Sequence, residues 1–379
     1  MSTEPVTAQD RLASLRAGLE EDIRPLGDRY SDDQLPLDML PQIVKTLRGH
    51  GYPVEEVARD EVAGALASEE LARVFPSLEG CLMVSHACAR YIAAVGPPGL
   101  RERAVPALLG GAKIGCLAST EPEHGSNNAA METRAVADGD EYVINGRKRW
   151  ISNADISDYA VVLCRVVEDG GRGEIRPIIV ERERSPYRTR DLPKLGLTAF
   201  VTSEMTFEDC RVPRENCVGP EGSLKNLQLV FQMLQWARCR MAVISLGIAR
   251  AALEASVAYA RKRRQFGRLI GEFQLIQDKV YTMAVDIDAS RLLIHRALLS
   301  IQEGRRSDRE ASMAKAYATE MAVRVASEAI QIHGANGLSP DYPLERHYRD
   351  ARALTIAEGT TEIHKLVVAR SVLGLSAFQ

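Results

Sequence analysis

The chain has 379 residues, which is more than one hydrophobic core usually serves, so its length predicts two or three domains. Hydrophobic residues make up 45% and charged residues 26% of the sequence, as is typical of a globular protein in water. The net charge of -3 argues against a general binder of nucleic acid or other polyanions. The chain contains no run of about 18 uncharged apolar residues, so no membrane span is expected.

The start of the chain and its cysteines indicate a compartment. The first residues are polar and acidic and predict no signal peptide. The seven cysteines are scattered, and none forms a Cys-x-x-Cys pair. This usage predicts reduced thiols in a cytoplasmic protein and no metal site.

Residues 1–112 are predicted to form an N-terminal helical domain. Apolar residues recur there at helical spacing, as at Leu12, Leu15 and Leu19. Glycine and proline at residues 96–99 interrupt the pattern, and two glycines at 110–111 end it.

Residues 113–222 are predicted to form a middle β domain. Strand-like runs at 142–144 and 148–152 flank Asn145-Gly146, which predicts a β-hairpin with its turn at these two residues. Further strands are expected at 159–166, 175–180 and 203–207, with glycine and proline between them.

Residues 223–379 are predicted to form a C-terminal helical domain. Long periodic segments cover 224–261, 273–303 and 309–333. Helices, then strands, then helices indicate an α+β protein with segregated parts rather than alternating βαβ units. No Gly-x-Gly-x-x-Gly follows a strand, so a Rossmann dinucleotide site is not supported.

The stretch near the C-terminus combines a glycine-rich loop with a carboxylate. In residues 331–337 a predicted helix end runs into a loop where Gly334 and Gly337 allow a positive φ or the close approach of a ligand. Glu358 then precedes Gly359, and a threonine at 360 or 361 caps the last helix. The free N–H groups of such a helix start bind ligand oxygens. Taken alone, Glu358 also fits an ordinary solvated carboxylate.

Three further segments have both plain and functional interpretations. Residues 120–127, Thr-Glu-Pro-Glu-His-Gly-Ser-Asn, fit an ordinary turn, and Trp150 to Asn153 fits a strand with a core tryptophan. Residues 261–268 carry five basic residues in eight, as in a solvated helix end or a nucleic-acid contact.

In this order and spacing, the four segments together resemble the acyl-CoA dehydrogenase family of flavoproteins, over about residues 115–374. The resemblance implies an N-terminal helical domain, a middle β-barrel or sandwich domain, and a C-terminal four-helix-bundle-like domain. It also implies FAD as cofactor and a homotetramer built as a dimer of dimers. Asn127 departs from the aspartate that is usual in the family.

The resemblance also assigns roles to residues. Glu358 matches the catalytic base, and Ser126, Arg238 and Gly359 match positions on the substrate side. Some relatives carry the base at the position of Ala237 instead. The positions that match FAD contacts are Leu117, Ser119, Thr120, Gly125, Ser126, Trp150, Ser152, Arg263, Phe266, Gln274, Gln331, Gly334, Ala335, Thr360 and Glu362.

The implied reaction is formation of a Cα=Cβ double bond in an acyl thioester carried on CoA or on a carrier protein. Glu358 would take the α-proton, hydride would pass to flavin N5, and an electron-transfer flavoprotein would receive the electrons. Two alternatives stay open: a flavin oxidase or monooxygenase of the same fold, and a non-catalytic FAD-binding subunit. Nucleic-acid binding by the basic run is disfavoured.

Overall fold

The computed structural model describes residues 8–53, 60–168, 173–218 and 224–377. The first residues, which predicted no signal peptide, and the predicted boundary at residues 222–223 lie outside these ranges. Helices, a sheet and helices again follow one another along the described chain. This order confirms the predicted α+β organisation.

The N-terminal helices provide one wall of the helical part. Asp60 caps α4, because its carboxylate accepts the backbone N–H groups of Val62 and Ala63 at 3.1 and 3.0 Å. Pro98 opens the last helix of this part, where its missing N–H costs nothing. Within the described ranges the helices are α1 (Ala8–Gly18), α2 (Arg24–Arg29), α3 (Leu40–Gly49), α4 (Glu61–Val74), α5 (Pro76–Val95) and α6 (Pro98–Leu109), with a π-helical turn at Leu19–Ile23.

A seven-stranded sheet forms the middle of the chain. Its order is β1-β4-β2-β3-β7-β6, and β5 pairs with β4. Buried side chains such as Ile144, Val162 and Met205 fill its core. The strands are β1 (Gly115–Ala118), β2 (Arg134–Asp138), β3 (Glu141–Ser152), β4 (Tyr159–Val167), β5 (Glu174–Glu181), β6 (Arg188–Asp191) and β7 (Thr202–Pro213).

The predicted hairpin turn at Asn145-Gly146 is wrong. Strand β3 runs through both residues, and the turn lies instead between β2 and β3, at residues 139–140. At Asn145 the pairing with β7 shifts register in a β-bulge, where Asp209 has φ 46° and exchanges hydrogen bonds with the Asn145 side chain. Gly146 is needed because a Cβ there would lie 2.6 Å from Thr133 Oγ1. Residues that often make a turn therefore serve a bulge and a close approach here.

Helix α7 is the centre of the C-terminal part and packs against α4, α5, α8, α9 and α10. Its residues Met233–Ala260 are long and apolar enough by composition to cross a bilayer, but 67% of the most apolar window is buried inside the protein. The segment thus packs as a core helix within the described chain. The C-terminal elements are α7 (Leu224–Ala260), β8 (Arg264–Gln265), β9 (Arg268–Leu269), α8 (Gln274–Gln302), α9 (Asp308–His333), α10 (Leu344–Leu354) and α11 (Thr361–Leu373).

A buried ion pair fixes the segment that follows β1. Lys148 Nζ, from β3, lies 2.9 Å from a carboxylate oxygen of Glu121 and donates to the carbonyl of Ser119 at 3.1 Å. The backbone N–H groups of Glu132 and Thr133 also donate to Glu121, at 2.6 and 2.9 Å. Burial alone would raise the pKa of Glu121, but these hydrogen bonds outweigh it and lower the pKa to about 2. Lys148 therefore holds the start of the loop against β3, and the Glu121 carboxylate joins the start of the loop to its end at residues 132–133.

Lys148→Met should destabilise the protein by about 3 kcal/mol, because it leaves the Glu121 carboxylate buried without its cation. The double change Glu121→Gln with Lys148→Met should recover part of that loss, since it removes both charges. Urea unfolding midpoints measure the effect. Arg188→Met is the matched control: it breaks the exposed Arg188–Glu208 pair and should cost less than about 1 kcal/mol. Equal losses for the two single variants would contradict a structural role for the buried pair.

Candidate active site

The two predicted segments of the β part lie side by side. The N–H of Arg149 donates to the carbonyl of Thr120 at 2.9 Å, which joins the loop after β1 to the end of β3. Leu117 on β1 is partly buried, whereas Gly125 and Ser126 at the loop tip are exposed. The loop thus presents hydroxyl groups and open backbone next to Trp150.

Trp150 points away from the core of the sheet. Its backbone has φ 60°, and its side chain is 51% exposed with the guanidinium of Arg149 5.4 Å from the ring centre. Asn153 also has a positive φ, of 64°, and is buried, with its amide donating to the carbonyl of Cys81 at 2.9 Å. Trp150 and Asn153, which both have the left-handed backbone conformation, lie on either side of Ser152. A residue other than glycine keeps this conformation only where surrounding contacts fix it. An exposed aromatic face on a fixed strand end suits a planar ligand.

The glycine-rich loop begins where α9 ends. Gly334 caps the helix with φ 61°, and a Cβ on Gly337 would lie 2.6 Å from the carbonyl oxygen of Ile330. Both glycines therefore meet the predicted need for positive φ or close approach. The predicted contact positions Gln331, Gly334 and Ala335 are exposed at this helix end.

Tyr259, which the sequence did not single out, connects this loop to the joint between α7 and α8. Its hydroxyl accepts the side-chain amide of Asn336 at 3.0 Å, and its ring stacks on His333 at 4.1 Å. Its carbonyl accepts the N–H of Arg263 at 2.9 Å. A lone tyrosine at the end of an apolar helix carries no sequence signal for such a link.

The predicted residues at the joint face solvent. Arg263, Phe266 and Gln274 are exposed, and Phe266 is 93% exposed with φ 52°. Its ring meets that of Phe273 edge to face, with centroids 6.3 Å apart. This joint between α7 and α8 contacts the Gly334 loop through Tyr259. Among the described residues, no hydrogen bond or ring contact joins it to Glu358.

Glu358 lies in the loop between α10 and α11. Its φ is 56° and that of Gly359 is 98°. Thr360 then caps α11, since its hydroxyl accepts the N–H of Ile363 at 3.4 Å. Glu358 is partly exposed, and the protein around it removes part of the hydration of its carboxylate. This desolvation raises the pKa of Glu358, against the opposing positive charges of Arg238 and Lys315.

Arg238 follows the buried Ala237 on α7, and its charge acts on the Glu358 carboxylate without a direct ion pair among the described contacts. Burial lowers the pKa of Arg238, and the negative charge of Glu358 raises it. Its buried Nε has no hydrogen-bond partner among the described residues. A buried N–H without an acceptor, beside a carboxylate, marks a position where a polar group of a ligand fits.

Two residues of the site were missed in the sequence. Lys315, on α9, is fully buried and donates to the carbonyl of Gly359 at 2.6 Å. His364, on α11, is also fully buried, and its Nδ1 lies 3.3 Å from Ser312 Oγ. Helical spacing offered a signal for Lys315, because Ala311, Ala318 and Ala322 place it on a buried face. Among the described residues, no group of three histidine, cysteine, aspartate or glutamate side chains is placed to hold a metal.

Comparison with known proteins agrees with this geometry. Residues 116–210 match the acyl-CoA dehydrogenase middle domain, and residues 227–373 match the acyl-CoA dehydrogenase C-terminal domain. The glutaryl-CoA dehydrogenase of Desulfococcus multivorans is 33% identical over 94% of this chain and 89% of its own.

Solved structures show the same fold. A glutaryl-CoA dehydrogenase of Mycobacterium smegmatis in complex with FADH2 superimposes with a TM-score of 0.88 at 27% identity, over 98% of this chain and 96% of its own. The prolyl acyl carrier protein oxidase AnaB superimposes with a TM-score of 0.87 at 26% identity, over 99% of this chain and 100% of its own. The chain belongs to the acyl-CoA dehydrogenase family, whose members depend on FAD.

Proposed function

We propose that this chain removes hydrogen from Cα and Cβ of an acyl thioester and that Glu358 takes the α-proton. The observation that carries the proposal is the environment of the Glu358 carboxylate, which the protein partly desolvates and on which the charges of Arg238 from α7 and Lys315 from α9 both act. Family membership supports the reaction class.

The surroundings of Glu358 suit a general base. A carboxylate in water is too weak a base to attack a C–H bond next to a thioester, and burial raises its pKa toward the working pH. Arg238 and Lys315 keep the group from being protonated outright, because each favours the charged form. The unpartnered Nε of Arg238 is a donor for the substrate side of the same space.

The residues present fit FAD. The cofactor, when bound, accepts the hydride that leaves Cβ. The exposed face of Trp150 and the hydroxyls of Thr120 and Ser152 form one wall for it. Thr360 and Glu362 at the start of α11 offer helix N–H groups and a hydroxyl. The other FAD positions that we assign are Leu117, Ser119, Gly125, Ser126, Arg263, Phe266, Gln274, Gln331, Gly334 and Ala335.

The joint between α7 and α8 is assigned to the FAD of a neighbouring subunit in a homotetramer. Phe266 is almost wholly exposed in the single chain, beside the exposed Arg263. Helix α8 carries exposed apolar side chains seven residues apart, at Val285, Leu292 and Leu299, which form one stripe. We expect such an exposed apolar stripe to be buried in the interface with another subunit.

The acyl carrier is either CoA or a carrier protein, and we place the enzyme in the cytoplasm with an electron-transfer flavoprotein as electron acceptor. The likeness to an acyl carrier protein oxidase supports a carrier-protein substrate and keeps an oxygen-using oxidase as the second candidate. Anaerobic bleaching of the bound flavin by a panel of CoA and carrier-protein thioesters, followed by admission of air, separates these options. Slow reoxidation in air indicates a dehydrogenase, and fast reoxidation indicates an oxidase.

Glu358→Gln should retain FAD and ligand binding and lower the rate of flavin reduction by several orders of magnitude, because the amide of glutamine cannot take up the α-proton at neutral pH. Stopped-flow absorbance under anaerobic conditions measures this rate. Wild-type reduction by the Gln variant, with a thioester that bleaches the parent enzyme, would show that Glu358 is not the base.

Ala237→Glu combined with Glu358→Ala should regain part of the lost rate. Ala237 is buried on α7 directly before Arg238, so a carboxylate there approaches the same space from another element. Recovery should be partial, since a displacement of about 1 Å in a reacting group can cost a hundredfold in rate. The single variant Glu358→Ala is the reference, and an equal rate for the double variant would show that the two positions do not share a substrate carbon.

Arg263→Ala should weaken FAD binding by about ten- to a hundredfold, because it removes a charge-assisted contact to phosphate worth about 1.5–3 kcal/mol. Equilibrium dialysis of the refolded or deflavinated protein measures this affinity. Arg305→Ala is the matched control, since Arg305 is an exposed arginine in the turn between α8 and α9.

Leu292→Arg places a charge in the apolar stripe of α8 and should dissociate the assembly. If the FAD site is shared, the dissociated chain should also lose FAD, which sedimentation at the flavin wavelength detects. A monomer with full FAD content would contradict the assignment of Arg263 to a neighbour's cofactor.

A further inference from the structure

Lys315 contacts the backbone on both sides of Glu358. Its Nζ donates to the carbonyl of Thr355 at 3.0 Å and to the carbonyl of Gly359 at 2.6 Å. The side chain is fully buried on α9. One amine therefore bridges the five-residue span 355–359 that contains Glu358.

Burial at this position is energetically unfavourable for a lysine. An ammonium group loses its hydration when it is buried, and two carbonyl dipoles replace the water without supplying an opposite charge. Within the described ranges the hydrogen-bond partners of Nζ are these two carbonyls, and it forms no ion pair with a carboxylate. A methionine of similar length would fill the same space without desolvating a charge, so packing alone does not account for lysine here.

The loop that Lys315 bridges has an unfavourable backbone. Glu358 has φ 56° and Gly359 has φ 98°, so two successive residues leave the usual regions, and for a glutamate this conformation is strained. Such backbone persists where several contacts fix it. The two hydrogen bonds of Lys315 are placed before and after the strained residue, which is where they restrain it.

The charge of Lys315 also acts on Glu358. Burial lowers the pKa of Lys315 to about 8, while the negative charge of Glu358 raises it. The amine is thus positive through neutral pH and loses its charge above about pH 8, and a neutral amine still has two N–H groups for its two carbonyls. The titratable and charged groups that face it come from the loop, α7, α9 and α11 and are Glu358, Arg238, Glu320, Glu362 and His364.

We propose that Lys315 is a positioning residue for the Glu358 loop, holding its backbone from both sides while its charge favours the ionised form of the Glu358 carboxylate. The inference rests on the proposed role of Glu358 as the base. It assigns Lys315 no contact with substrate or cofactor.

The test is an infrared pH titration of the FAD-loaded full-length enzyme, in which the C=O stretch of protonated Glu358 is identified by its absence from Glu358→Gln. In Lys315→Met the midpoint of this titration should move to higher pH, because a cation that favours the carboxylate is gone. Lys315→Gln should move it in the same direction, and Lys315→Arg, which retains the charge, should move it least. An unchanged midpoint in both neutral variants would overturn the proposal.

Flavin reduction supplies the second readout. For Lys315→Met, the ratio of the reduction rate at about pH 6 to that at about pH 9 should fall about tenfold relative to wild type. The sign follows from the titration: below pH 8 only the wild type has the extra cation, and near pH 9 its amine is also mostly neutral. Amide hydrogen exchange of residues 356–360 should be faster in Lys315→Met than in Lys315→Arg if the hydrogen bonds restrain the loop.

Thr361→Val is the control. It removes the hydrogen bond from Thr361 to Glu320, 2.6 Å long, which also ties α11 to α9 but involves no cation. The midpoint of the Glu358 titration in Thr361→Val should match that of the wild type. A shift as large as that of Lys315→Met would show that Lys315 acts only through the packing of α9 against α11. If Lys315→Met does not fold, Lys315→Gln and Lys315→Arg still compare a neutral with a charged side chain.

The outcomes separate the two proposals. Wild-type flavin reduction by Glu358→Gln would reject the base assignment, whereas the infrared midpoint would still report whether Lys315 acts on the carboxylate. Loss of reduction in Glu358→Gln together with an unchanged midpoint in the neutral Lys315 variants would retain the base and reject the role of Lys315.

Discussion

The site depends on keeping one desolvated carboxylate charged. Burial favours the protonated form of Glu358, and the cations of Arg238 and Lys315 favour the ionised form. These cations come from α7 and α9, and the carboxylate comes from the loop between α10 and α11. Four helices must therefore pack in one arrangement before the pKa of Glu358 takes a value that serves proton transfer. The extensive packing of α7 against α9 supports the chemistry in this sense.

The β part also contains a carboxylate removed from water, but this carboxylate has different hydrogen-bond donors and charges around it. The Glu121 carboxylate is buried too, but it receives two backbone N–H groups and the Lys148 ammonium, and its pKa falls to about 2. It is thus permanently charged and structural. Glu358 faces its cations without a direct hydrogen bond in the described contacts, and its pKa rises. The number of donors on a buried carboxylate decides whether it is an anchor or a base.

Helical periodicity predicted the long C-terminal helices to within about a residue, because their buried faces repeat regularly. Local turn rules failed at Asn145-Gly146, since the neighbouring Thr133 and Asp209, distant in sequence, decide the conformation there. Glu358 was found through family resemblance, whereas Lys315 was missed because its function lies in two backbone carbonyls that no sequence pattern displays. The domain boundaries and the individual roles of the FAD residues stay predictions.

The origin of the base from a loop rather than from α7 has a physical consequence. A glutamate at Ala237 would be carried by a helix whose backbone is fixed by its own hydrogen bonds, and its environment would depend mainly on packing around α7. Glu358 instead lies on strained backbone in a turn outside any helix or strand. Its position must be supplied by contacts from outside, and a single lysine can supply both the position and the charge. A loop-borne base therefore makes the buried cation on α9 useful in a way that a helix-borne base would not.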